Sequence, residues 1–248
     1  MPSIKCPVCG GISPLLDAVD FNKSCMEIFG VIFDKSGFSV DYCWCESCGF
    51  CFSPELHGWA LADFEKYVYN AEYLKIDPDY MEVRPSNNAG RVIESFDGFD
   101  GKIAHLDFGG GAGVLSNKLV EAGWNSISYD PFVNKDISVS QLGSFDLITA
   151  FEVFEHVPDV KKLMNDLAVL LRQDGVVLFS TLISDDFISK ENKLGWWYAA
   201  PRNGHISLFS QQSLAIMAAQ NNFYFGSISE SYHLFWRGKP SWAAHLLP

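Results

Sequence analysis

The chain has 248 residues, 48% hydrophobic and 19% charged, with a net charge of −12. That is room for one large domain, or a modest one plus a small appendage, in an ordinary globular composition. The acidic balance argues against a nucleic-acid partner held through phosphates, and no apolar run approaches the ~18 residues of a membrane span. The start, Met1-Pro-Ser-Ile-Lys-Cys6, has no signal-peptide core, so a cytoplasmic location is expected.

All seven cysteines fall within residues 1–56. An odd number without a secretion signal points to reduced thiols in metal or packing roles. Cys6-Pro-Val-Cys9-Gly and Cys45-Glu-Ser-Cys48-Gly are two knuckles whose two-residue gaps let both thiolates of each reach one ion. The trailing glycine permits the turn that points backbone N–H groups at sulfur. Two such pairs make a tetrahedral structural zinc site with no open position for chemistry. A redox Cys-x-x-Cys or a set of buried thiols is the competing reading. Cys43 and Cys51 are near enough in sequence to compete with Cys45 and Cys48, and Cys25 reads as a small buried residue. The apolar segments Ile28–Phe33 and Phe38–Trp44 read as strands of a zinc ribbon, residues 1–56, whose core is so small that the metal supplies much of its folding free energy.

Residues 57–100 read as a helical connector or lid, with Leu61, Phe64, Tyr67 and Val68 at helical intervals, and their aromatics from Trp59 to Tyr80 equally suit packing against the next domain. Asp77-Pro-Asp and Arg84-Pro-Ser break that pattern, and a further helix follows over Asn88–Phe96. Residues 101–248 then alternate. Strands are expected at Ile103–Phe108, Ser126–Tyr129, Phe145–Phe151 and Gly175–Leu182. Helices are expected at 114–122 and at Pro158–Arg172, whose apolar stripe includes Leu163, Met164 and Leu167. A helix capped by Ser210 and an antiparallel pair, Phe223–Ile228 and Tyr232–Trp236, close the chain. The fold class is α/β, a Rossmann-like parallel sheet with antiparallel C-terminal strands, and its ligand belongs at the carboxyl ends of the strands.

The turn His105-Leu-Asp-Phe-Gly-Gly-Gly-Ala-Gly113 decides which ligand. A dinucleotide fingerprint needs a third glycine where Val114 stands. The acid at the strand end, Asp107, sits poorly beside a pyrophosphate and suits a nucleoside carrying an ammonium or sulfonium charge. Asp130 ends the next strand about 20 residues on, where a carboxylate accepts both hydrogen bonds of a ribose diol.

These residues, with Ser-Tyr-Asp-Pro131 and Phe145-Asp-Leu-Ile-Thr-Ala-Phe-Glu-Val-Phe-Glu-His-Val-Pro-Asp159, resemble class I S-adenosylmethionine-dependent methyltransferases from about Tyr69 to Phe225. The resemblance implies cofactor contacts from Asp107, Gly109, Gly110, Gly111, Gly113, Asp130, Pro131, Ala150, Phe151 and Glu152. The knuckles together with Asn203-Gly-His205-Ile-Ser-Leu-Phe-Ser210 look like the branch of sugar C-methyltransferases. That branch implies a small-molecule acceptor, a sugar or polysaccharide precursor, for a monomer or homodimer. Two departures stand out: only fourteen residues separate Asp130 from Phe145, too few for the usual helix and third strand, and the additional C-terminal domain of the sugar enzymes does not follow.

Methyl transfer calls for a base beside the acceptor, and His205, in a loop after the fifth strand, is the first candidate. Glu152, Glu155 and His156 make a second polar cluster, although Glu155-His156 equally suits a helix cap. Trp196, Trp197 and Tyr198 suit a sugar face or, equally, core packing. The rival readings are an RNA methyltransferase gripping substrate with the ribbon, a non-catalytic S-adenosylmethionine-binding module and an NAD-dependent oxidoreductase. Residues 1–56 carry three Lys, no Arg and seven acids, a poor phosphate grip.

Overall fold

The computed structural model describes residues 4–96, 98 and 101–247. The chain divides into two compact units. A knuckle unit contains Met1–Pro78, Phe154–Lys161 and Leu182–Met217; a sheet unit contains Asp79–Val153, Lys162–Thr181 and Ala218–Pro248.

The sheet unit is built on six strands: β1 (Ala104–Phe108), β2 (Asn125–Tyr129), β3 (Phe145–Phe151), β4 (Leu171–Ser180), β5 (Tyr224–Ser227) and β6 (Tyr232–Trp236). Their order is β5-β6-β4-β3-β1-β2. β4, β3, β1 and β2 run parallel, and β6 is antiparallel to both β4 and β5. This is the expected α/β architecture with an antiparallel close. Its core joins Leu147, Val176, Leu178 and Leu234 from the sheet to Ala89 and Val92 of α1 (Val83–Ser95) and Leu115 and Leu119 of α2 (Val114–Glu121). Each of the valine and leucine side chains contributes roughly 1.5–3 kcal/mol on leaving water.

Pro85 does not break α1, as the sequence pattern suggested, but lies in its first turn, where a missing N–H leaves no hydrogen bond unmade. The short stretch after Asp130 forms a single 3₁₀ turn, Val139–Gln141, and no strand. β2 is therefore the edge of the sheet. Among the described residues no helix is long and apolar enough to cross a membrane.

In the knuckle unit, four antiparallel strands lie in the order Ser207–Leu208, Cys51–Phe52, Ser39–Trp44 and Leu15–Asp20. A separate two-stranded ribbon pairs Ile4–Lys5 with Ile12–Ser13. The expected strand over Ile28–Phe33 does not form. Ser24 caps a 3₁₀ turn over Cys25–Phe29 by accepting from the Met26 amide, and Gly30, at φ 76°, ends it in the left-handed conformation. Local capping thus outweighs the apolar content of that stretch. Ser210 and Ser213 exchange amide-to-hydroxyl bonds of 3.0 Å, fixing the start of the helix Gln211–Gln220.

Candidate functional site

In the sheet unit, β1 delivers Asp107 to the carboxyl end of the sheet, where it is 3% exposed. Thr149 of β3 donates to its Oδ1 at 2.8 Å. Burial raises the Asp107 carboxyl to about 7, the Thr149 bond opposes that rise, and the charge of Asp130 adds to it. The chain then turns on three glycines in the left-handed region, Gly109, Gly111 and Gly113. The Gly109 amide donates to the Tyr129 carbonyl at 2.7 Å, tying the turn to the end of β2.

Gly110 packs directly on the acid. A Cβ there would stand 2.2 Å from Asp107 Oδ2 and 2.4 Å from Ser128 Oγ, so no side chain fits. Gly110→Ala is therefore expected to cost about 1–3 kcal/mol of stability through overpacking, read as a lowered melting temperature, and to weaken ligand binding at this turn.

Asp130 is 9% exposed and accepts from the Gly111 amide (3.1 Å) on one oxygen and the Phe132 amide (2.8 Å) on the other. A carboxylate has about four acceptor positions, so each oxygen retains capacity for one more donor. Pro131 follows at partial exposure. At the end of β3, Ala150 is fully buried and Phe151 meets Tyr232 edge-on at 5.8 Å. Glu152 adopts a positive φ of 53°. Ser180 of β4 accepts from the Glu152 amide and donates to its carboxylate, both at 2.8 Å. A non-glycine residue in the left-handed region, locked by its own side chain, marks this strand end as a shaped feature.

A second polar cluster belongs to the knuckle unit. The ligating atoms of Glu155, His156 and His205 all lie within 4.8 Å of one another, close enough to share one cation or one substrate. The two imidazoles meet edge-to-face at 4.9 Å. His205 Nδ1 donates to the Tyr198 carbonyl at 2.9 Å, and His156 Nδ1 to the Gly204 carbonyl at 3.1 Å. In the neutral form both rings therefore carry their basic lone pair on Nε2. Tyr198 also donates its hydroxyl to Glu155 Oε1. Gly204, at φ 89°, makes the approach possible, since a Cβ there would meet His156 Nδ1 at 3.0 Å.

Glu152 belongs to the sheet unit and the two histidines to the knuckle unit, so the three residues expected to act in catalysis fall in different units. Tyr198, only an aromatic by sequence, proves to hold both Glu155 and His205; its signal was the hydroxyl that Trp196 and Trp197 lack.

The four knuckle cysteines Cys6, Cys9, Cys45 and Cys48 also gather within 4.8 Å. Cys6–Cys48 and Cys9–Cys45 sulfurs are 3.6 and 3.4 Å apart. Thiolates on one zinc, at Zn–S of about 2.3 Å, stand about 3.8 Å apart, so the four fit a single ion with a small expansion. Cys43 and Cys51 are buried outside this group, and burial raises both of their thiols.

The profile of the methyltransferase-domain family matches residues 84–225, more than half of the chain. The chain belongs to this family. Among curated relatives, a ubiquinone biosynthesis O-methyltransferase of Idiomarina loihiensis is 29% identical over 163 residues, covering 52% of this chain and 65% of the relative. One of the same name from Colwellia psychrerythraea is 30% identical over 114 residues, 36% of this chain and 46% of the relative. The matched stretches thus span less than two thirds of these relatives. Among solved structures, a mitomycin 7-O-methyltransferase superposes with a TM-score of 0.51 at 13% identity, covering 72% of this chain and 60% of the other. The pyocyanin biosynthetic protein PhzM gives 0.50 at 15% identity, with 73% and 62% covered. Those two likenesses establish the fold.

The family's methyl donor is S-adenosylmethionine, and the sheet unit offers a donor set that fits it. Two acids end successive strands beside the glycine turn, without the third glycine of a dinucleotide site. Ser128 Oγ, which like Asp107 crowds the Cβ position of Gly110, is buried with no hydrogen-bond partner among the described residues, an unspent polar group at the turn.

Proposed function

We propose that the chain is an S-adenosylmethionine-dependent methyltransferase acting on a hydroxyl of a small molecule. The observation that supports this reading best is the pairing of two buried carboxylates, Asp107 and Asp130, around one glycine turn. Asp130, with an acceptor position left on each oxygen, would hold the ribose diol. Asp107 and Glu152 would face the ammonium and sulfonium end, and Gly109, Gly110, Gly111, Gly113, Pro131, Ala150 and Phe151 would supply the walls. When bound, the cofactor would supply an electrophilic methyl group, carried on sulfur, to the acceptor oxygen.

On the acceptor side, His205 is the proposed base. Its Nδ1–H is committed to the Tyr198 carbonyl, so Nε2 takes the acceptor proton. His156 and Glu155 position it, with Tyr198 fixing the carboxylate. The four knuckle cysteines would hold a structural zinc, all sulfur and closed to substrate. The relatives' names make a hydroxylated aromatic one candidate acceptor; the knuckles and the Asn203-Gly-His205 segment favour a sugar.

The deciding experiment follows methyl from labelled S-adenosylmethionine into parallel panels of nucleotide sugars and phenols, with nucleic acid as a third arm. Product in the first panel supports the sugar, in the second the aromatic. Transfer into neither, or into RNA alone, overturns the reading. His205→Ala is expected to lower kcat by about 10²–10⁴-fold while leaving cofactor affinity unchanged. A mutant as active as wild type would show that the base is elsewhere.

A further inference from the structure

One face of the sheet unit carries a polar stripe that packing does not require. His105 and Asp107 lie two apart on β1 and so point to the same side. Their register partners are Ser126 and Ser128 on β2, with Thr149 of β3 opposite Asp107. His105 and Thr149 are fully buried, and Ser116 of α2 and Ser126 are 4% and 8% exposed. Valine or leucine would pack in such places without needing partners.

The hydrogen bonds form one chain. Thr149 Oγ1 donates to Asp107 Oδ1 at 2.8 Å, which spends its single proton. His105 Nε2, 3.0 Å from Thr149 Oγ1, must then be the donor of that contact. A neutral imidazole has one N–H, so Nδ1 accepts from Ser126 Oγ at 2.7 Å. Ser126 in turn accepts from Ser116 at 2.8 Å. Every donor thus points towards the carboxylate, and bonds aligned in that way polarise one another. Burial keeps His105 neutral, pushing it down to about 3, so the directed chain persists across the working pH range.

We propose that His105 is a positioning residue of the cofactor site, relaying a one-way hydrogen-bond chain from Ser116 and Ser126 through Thr149 that holds Asp107 ionised and oriented for the cationic end of the ligand. This rests on the reading of Asp107 as a cofactor carboxylate. The groups that face Asp107 are Thr149 from β3, Gly110 and Ser128 from the turn and β2, and Asp130, whose charge opposes ionisation. The relay counters that repulsion and the loss of water.

The test is calorimetric titration of the full chain with S-adenosylmethionine between pH 6 and 9, alongside the melting temperature. In wild type, affinity rises with pH as Asp107 ionises and levels off above about 7. His105→Phe keeps an aromatic ring beside Trp124 but removes the N–H to Thr149. It is expected to move the levelling point up by about half a pH unit or more, weaken binding about 2-fold or more at pH 7, and match wild type at pH 9. His105→Gln, whose amide offers a donor near the Nε2 position, is expected to restore the wild-type curve. A variant that loses affinity equally at all pH values, or one with an unshifted curve, overturns the relay alone. No binding by wild type at any pH overturns both the relay and the cofactor reading. If His105→Phe fails to fold, Ser126→Ala carries the same test, with a smaller shift of the same sign expected.

Discussion

Asp130→Ala is expected to weaken S-adenosylmethionine binding by about 10²–10⁴-fold while the protein still melts cooperatively. On the proposed binding mode, two charge-assisted hydrogen bonds to the ribose diol would be lost, each worth roughly 1.5–3 kcal/mol. Each 1.4 kcal/mol is about tenfold in affinity. The same carboxylate accepts the Gly111 and Phe132 amides, so alanine also releases the turn from β2. Asp130→Asn separates the two effects: its amide oxygen keeps one acceptor, so binding is expected to fall between alanine and wild type. Calorimetric titration reads both variants. An alanine variant within threefold of wild type would remove Asp130 from the cofactor site.

The second large effect concerns the knuckles. Cys48→Ser is expected to abolish stoichiometric zinc binding and to unfold the knuckle unit. Structural zinc supplies roughly 10–16 kcal/mol in small sulfur-ligated domains, as much as the ~5–15 kcal/mol total stability of a typical protein. A unit relying on such an ion has no reserve once a ligand is gone. Cys48 is fully buried, so serine also leaves a hydroxyl in a place shaped for sulfur. Metal analysis of purified protein should find one zinc per chain, and chelation should lower the melting temperature. Wild-type protein stripped of metal that melts unchanged would show that the thiols pack without an ion.

What was legible in the sequence was local. The glycine turn, Asp107 and Asp130 lie within one strand-turn-helix-strand segment, where spacing alone sets the geometry. The cysteine knuckles are likewise short-range, since each pair needs only a two-residue gap. The alternation of strands and helices follows from periodicity and survives in β1 to β4. The grouping of Tyr198, Glu155 and His205 was not legible, because it depends on backbone brought together from 43 residues apart. Trp196 and Tyr198 proved to be buried, at 5% and 3% exposure, with the exposed Phe187 stacked over Trp196 at 4.9 Å, so neither presents an open sugar face. The role of His105 was not legible because its strand reads as apolar; its signal was a titratable residue two positions before an acid, on the same face.

The division of the chain into interleaved units sets an order on synthesis. Cys48 leaves the ribosome long before the serine whose hydroxyl grips its carbonyl, Ser210, 162 residues downstream. The strand Ser207–Leu208, which completes the sheet beside Cys51–Phe52, is equally late. Closing contacts over such separations carries a loop-entropy cost that favours slow assembly. The nascent thiols therefore wait through most of translation before their own unit can close, and an ion captured early by the knuckles would protect them meanwhile. On the proposed zinc reading, metal supply during growth should then govern how much chain folds as well as how stable the finished molecule is.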